Sequence, residues 1–285
     1  MEMQILLFGI ALPSFVGAAF GIWFMRRKQA GRLDCFVGLA LATTLFLSAM
    51  SEDSLIQFMA LNRWLWFPIS MLLGAVVVGA GLLFAQWPLA RTLVVLASTI
   101  SAAILLNIPS WEIFTNQLFL GVGAATSAIF LAQVVKKRAN ISTYIALSLS
   151  LIGPSVLAML SGFAKLAIPI GAVSFCLGII SLVHIAIQSK SLDRAVGLSG
   201  AVVIASIAAF GAATGFGYDT TNLPISSWVI AAIAPLGLWL GELPMIRSRT
   251  TLSAWARICG CAILAATAIL IAALFLSSNS HSLSE

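Results

Sequence analysis

A chain of 285 residues that is 61% hydrophobic and 8% charged, with a mean hydropathy of +1.08, lies outside the range of soluble domains and inside that of polytopic membrane proteins. Its 15 Lys and Arg exceed its 9 Asp and Glu, but they sit in short clusters between apolar runs, so they read as topology signals and not as a nucleic-acid footprint. Connections are too short to hold a soluble domain, and no Gly-x-x-x-x-Gly-Lys-Ser/Thr, His-Glu-x-x-His or Gly-x-Ser-x-Gly motif occurs, so kinase, nuclease and nucleotide-binding readings are excluded and no enzyme is expected.

The first apolar run, Ile5 to Phe24, ends in Met25-Arg26-Arg27-Lys28. A secretory signal carries its positive charge ahead of the apolar core, so this run predicts a retained helix whose N-terminus is outside. Further stretches of spanning length are predicted at 33–50, 64–86, 89–107, 117–135, 141–162, 166–188, 195–216, 226–245 and 252–276, giving an all-α bundle of about ten helices with both termini outside a cytoplasmic membrane. On that layout the inner side holds Arg26, Arg27, Lys28, Arg32, Arg91, Lys136, Lys137, Arg138, Lys190, Arg194, Arg247, Arg249 and Arg257, leaving Arg63 and Lys165 outside. The tryptophans agree with it. Trp23, Trp87, Trp239 and Trp255 come out at the inner interface, and Trp64, Trp66, Trp111 and Trp228 at the outer one.

Cys35, Cys176, Cys259 and Cys261 all fall in apolar runs, where cysteine behaves as a small hydrophobe, and the Cys-x-Cys pair would point to nearly opposite helix faces. No disulfide, metal or cofactor is implied.

Three prolines lie near the middle of a span: Pro13, Pro154 and Pro235. The first two share a context, Leu12-Pro13-Ser14 with Gly21 against Gly153-Pro154-Ser155 with Gly162, and the same offset pairs Cys35 with Cys176, so a five-helix unit used twice is suspected, with halves 1–138 and 139–285. Around Pro235 the helix must kink or unwind, because proline removes a donor and clashes with the carbonyl four residues back. Two readings stay open. One is a kinked packing helix; the other is a broken helix lining a solute site, with Pro13, Ser14, Pro154, Ser155, Pro235 and Gly237 as the candidate binding residues. Ser14, Thr43, Thr44, Ser70, Ser98, Thr99, Ser101, Ser127, Ser148, Ser150, Ser155 and Ser206 are hydroxyls in or near span interiors, where most such groups bond back to their own helix. Gly38 with Ala42, Gly121 with Ala125, and Gly211 with Gly215 are small-residue pairs that let backbones approach.

Charge is nearly absent from the deep middle. Glu242, His184 and Arg257 come out near the inner headgroups, either as a solvated interfacial ring or as an inner gate in which Glu242 pairs with Arg257 or His184. This distribution argues against a proton pump with a mid-membrane carboxylate.

The opening LPSFVGAAFGIWFMRRKQAGRLD, the sixth span GPSVLAMLSGFAKLAIP and the ninth AAIAPLGLWLGEL resemble, in their order, the auxin efflux carrier family and its bile-acid-transporter-like relatives. That resemblance implies a ten-helix inverted repeat with broken fourth and ninth helices, moving a small and often anionic organic solute. The fourth span, Leu89 to Asn107, departs from it, having neither proline nor glycine inside. The expected function is secondary transport; the alternative is a non-catalytic membrane subunit or scaffold. The partners implied are the lipid bilayer, a small organic solute and other membrane subunits, alike or different.

Overall fold

A computed structural model describes residues 5–26, 37–51, 63–85, 87–106, 108–109, 114–137, 141–187 and 197–282. Arg27, Lys28, Arg32, Cys35, Trp111, Arg138, Lys190 and Arg194 lie outside the described residues. Among the described residues all regular structure is helical, and each expected span is met by a helix. These are α1 (Leu12–Arg26), entered through a π-helical turn Ile5–Ala11, α2 (Val37–Met50), α3 (Trp66–Phe84), α4 (Pro88–Leu105), α5 (Phe114–Lys137), α6 (Ile141–Leu160), α7 (Ala164–Ile187), α8 (Gly197–Gly217), α9 (Ile225–Ile233, continuing as a 3₁₀ helix Ala234–Glu242) and α10 (Thr250–Ser282). Eight of these are long and apolar enough to cross a bilayer, and α1 and α2 supply the shorter apolar stretches Leu7–Trp23 and Val37–Met50. Phe15, Phe84, Phe119, Met159, Leu182, Ile263 and Leu270 all point outward, an apolar coat that only a lipid environment tolerates.

The bundle is built around α8. Its sequence GLSGAVVIASIAAFGAATGFG is apolar on every side, as a fully enclosed helix must be, and 83% of its span is buried against 28% for α4 and α10. It touches α2, α3, α4, α5, α6, α7 and α9, so helices of both halves of the chain enclose it. The packing is not the same in the two halves. Helix α6 runs along α10, whereas α1 and α5, the pair that the suspected repeat would place alike, make no comparable contact.

Small residues set the closest crossings. A Cβ on Gly38 would lie 2.6 Å from Ser199 O, so α2 meets α8 backbone to backbone, and the Gly38 N–H donates to Ser199 Oγ at 3.3 Å. A Cβ on Gly121 would lie 2.9 Å from the Cα of Ile100, which brings α5 equally close to α4. A Cβ on Gly17 would fall on Thr44 Oγ1 of α2. Gly17→Ala is therefore expected to destabilise the protein by about 2 kcal/mol, and Gly17→Ala/Thr44→Ala to recover most of that loss, read as thermal unfolding midpoints in detergent.

Hydroxyls cross-link α1 and α6 to α7, and α2 to the turn that precedes α1. Ser14 Oγ donates to Ala172 O at 2.8 Å, and Ser155 Oγ donates to Ala167 O at 2.8 Å. Ser148 and Ser174 exchange bonds to each other's carbonyls, both at 2.8 Å. Pro13 has no N–H to offer Gly9 O, four residues back, and Ser48 Oγ of α2 donates to that carbonyl.

The helices alternate in direction, as the contacts between their ends show. At one end Trp64 meets Phe163 edge-on at 5.9 Å and Phe163 stacks on Tyr218 at 4.9 Å, while Thr220 donates from both N and Oγ1 to Ser161 O. Gly162 sits there at φ 81°, a conformation that favours glycine. The opposite end gathers Thr143, Tyr144, His184, Glu242, Arg247, Ser253 and Arg257.

Candidate functional site

Helix α9 breaks where its proline predicts. Pro235 cannot donate to Ala231 O, and the Ala234 N–H takes that acceptor instead with 3₁₀ spacing, after which the chain stays 3₁₀ through Glu242. Such runs seldom exceed three or four residues, because their hydrogen-bond geometry is poorer than that of an α-helix. Length offers one reason for this run. Eighteen residues would cover about 27 Å as α-helix, but with half of them rising about 2.0 Å each the segment reaches about 31 Å, the thickness of the hydrocarbon core.

The thin 3₁₀ segment lies against α10 through glycine. A Cβ on Gly237 would come within 2.6 Å of Cys261 N and Gly260 C, and Gly260 has the same relation to the Gly237 carbonyl. One turn further on, a Cβ on Gly241 would lie 2.5 Å from Arg257 Cγ and 2.6 Å from Ser253 O. Gly241 thus leaves the channel in which the Arg257 side chain lies.

Arg257 is 1% exposed. Its guanidinium donates through Nε to Ser253 O at 3.1 Å, through Nη2 to Ser253 Oγ at 3.0 Å and through Nη1 to Thr143 Oγ1 of α6 at 3.4 Å. Ser253 Oγ in turn donates to Gly241 O at 2.8 Å. One serine therefore joins the broken helix, α10 and the arginine, and the arginine reaches on to α6. Next to Thr143, the buried Tyr144 ring lies 6.1 Å from the ring of His184 on α7.

The structure thus gathers His184, Arg257 and Glu242 at one end of α6, α7, α9 and α10. Glu242 pairs with Arg247 at 3.7 Å, the acid's side chain buried and the arginine's more than half exposed. The sequence expectation concerns Glu242 with Arg257 or His184, and the short helix Pro244–Arg247 brings a further cation, Arg247, to the acid. Arg257 is not a solvated interfacial side chain, since Gly241 and Ser253 enclose it.

The proline candidates do not converge on one place. Pro154 and Pro235 are buried in α6 and α9, which touch, and a Cβ on Gly153 would approach α10 at Ala265. Pro13 and Ser14 are buried in α1, which packs on α2 and α7. Helix α7 stands between the two groups, taking Ser14 on one carbonyl and Ser155 on another. Gly237 is wholly engaged with α10.

Beside the break, Phe130, Leu236 and Trp239 line an open apolar groove of about 420 Å³, across which Trp239 Nε1 donates to Phe130 O at 3.2 Å. Sequence reasoning missed the pairing of Ser253 with Arg257. Their i, i+4 spacing at the start of the last span was its available signal.

These features define a multi-pass, all-α integral membrane protein with a broken ninth helix locked at one end by a buried arginine. Compared with protein-family models, curated proteins and solved structures, the chain matches none.

Proposed function

We propose that the protein is a secondary transporter of a small organic solute in the cytoplasmic membrane, with α9 as its moving element. The observation that carries this reading is the nine-residue 3₁₀ run inside a span, Ala234–Glu242, resting on α10 through Gly237 and Gly241. A mid-helix 3₁₀ stretch is a common form of hinge, and glycine contacts let backbones slide without repacking large side chains. Arg257 supports an anionic solute, being a fixed buried charge next to the break. The broken ninth helix agrees with the layout of the auxin efflux carriers, while the unbroken α4 departs from it.

A second reading, a non-catalytic subunit that packs against partner membrane proteins, is favoured by the close packing of the described core, where a cavity between α3, α4 and α8 measures only about 10 Å³. Cysteine accessibility separates the two. Single cysteines at Ser14, Ser155 and Leu236, in a chain with its four native cysteines replaced, are labelled from each side with a membrane-impermeant thiol reagent. Transport predicts that labelling at Ser155 and Leu236 changes sides with conditions while Ser14, behind α7, stays protected. Protection at all three positions under every condition would reject transport and leave the subunit.

A further inference from the structure

Most buried hydroxyls in this bundle reach across to a neighbouring helix or fold back on their own. The α3, α4 and α8 interface is of the second kind: Ser98 Oγ donates to Val95 O at 3.0 Å, Thr99 Oγ1 to Val95 O at 2.9 Å, and Ser70 Oγ to Phe67 O at 2.8 Å. None of these three bonds joins α8 to α3 or α4. Yet this interface holds the internal cavity, about 10 Å³, at which Ser98, Thr99 and Ser206 meet and Gly74, Ala75 and Ala102 leave space.

We propose that this cavity is the binding site of one ordered water molecule, which joins α8 to α4 in the middle of the membrane. The volume is that of about one water-sized probe, too small for a second water, a hydrated ion or an organic solute. The chemistry matches as well. Ser98 and Thr99 have committed their hydroxyl hydrogens to Val95 O, so toward a molecule in the cavity they can only accept. Ser206, 3% exposed, supplies a third hydroxyl from α8. A water that donates to Ser98 and Thr99 and accepts from Ser206 makes three hydrogen bonds, the usual number for a buried water. A bare monovalent cation would instead meet three neutral oxygens and no carboxylate, leaving its charge uncompensated in an apolar interior.

The site is independent of the transport reading. Its test is a crystal structure of the full chain at a resolution where waters are visible, for the native protein and for Thr99→Val/Ser206→Ala, which removes two hydroxyls and keeps the space. The native protein is expected to show one isolated peak within hydrogen-bond distance of all three side chains, and the variant to have lost it. An empty native cavity, or a peak unchanged in the variant, would overturn the proposal. Should the double variant fail to fold, Ser206→Ala alone is read, with at least a halving of the peak expected and an unchanged peak overturning the assignment. Crystals soaked in thallium(I) distinguish the remaining occupant: an anomalous signal at the site would replace the water with a monovalent cation, and none is expected.

Discussion

Gly237→Ala is expected to be among the most damaging single-methyl additions to this protein, lowering its stability by about 3 kcal/mol or more. The added Cβ would meet backbone, at 2.6 Å from both Cys261 N and Gly260 C, so no side chain can rotate away and α9 must lift from α10 along the 3₁₀ segment. Lifting it also draws Gly241 O from Ser253 Oγ and opens the groove that holds Arg257. A control lies in the same chain. A Cβ added to Gly123 of α5 would have nothing within 4 Å, and there alanine is expected to be neutral or to stabilise by about 0.5 to 1 kcal/mol through helix propensity. Thermal unfolding of both variants in one detergent measures the contrast. Equal midpoints for the two would mean that the α9 and α10 contact is looser than this structure has it.

The second large effect is expected at Arg257. Arg257→Ala removes a buried side chain together with its bonds to Ser253 and Thr143, and a loss of about 3 kcal/mol is expected. Arg257→Met keeps most of the buried volume and leaves no comparable cavity, so its loss is expected to be smaller than that of Arg257→Ala. Lysine lacks the planar fork that spans Ser253 and Thr143, so Arg257→Lys should behave worse than Arg257→Met. This order, Met above Lys above Ala, is read from unfolding midpoints. A folded Arg257→Met protein then bears on function: if the arginine closes one end, cysteine labelling at Ser155 and Leu236 should rise severalfold from that side. An unchanged pattern would make Arg257 a packing residue.

The helices were legible because about twenty apolar residues in a row have few alternatives in water or lipid, and because charge marks where each run stops. The break at Pro235 was legible for a local reason, the missing donor. The conformation beyond the break was not, since an α-helix, a kink or a 3₁₀ run satisfies the same local rule, and the choice rests on Gly260 and Arg257, residues of another helix. Composition also hid the centre of the bundle. The small residues of α8 mark close packing, but a helix apolar all round has no face that names its neighbours. The chain order puts Arg257 near the start of the last span, where an arginine usually snorkels to water, and nothing in it signals that Gly241 and Ser253 make room for the side chain inside. Ser98, Thr99 and Ser206 resemble other span hydroxyls, and their meeting depends on how α4 and α8 are rotated.

The central place of α8 bears on how the bundle is made. A ribosome delivers this chain from its N-terminus, so α1 to α7 enter the membrane before the helix that most of them surround. Until residues 197–217 arrive, the inner faces of α2, α3, α4 and α5 have no partner for Gly38, Phe67 and their neighbours, and lipid or a chaperone must stand in. Assembly is then a late event, completed when α8 threads into a prepared slot and α9 and α10 close over α6. Chains arrested before α8 would be inserted yet hollow, and they would be natural targets for membrane quality control.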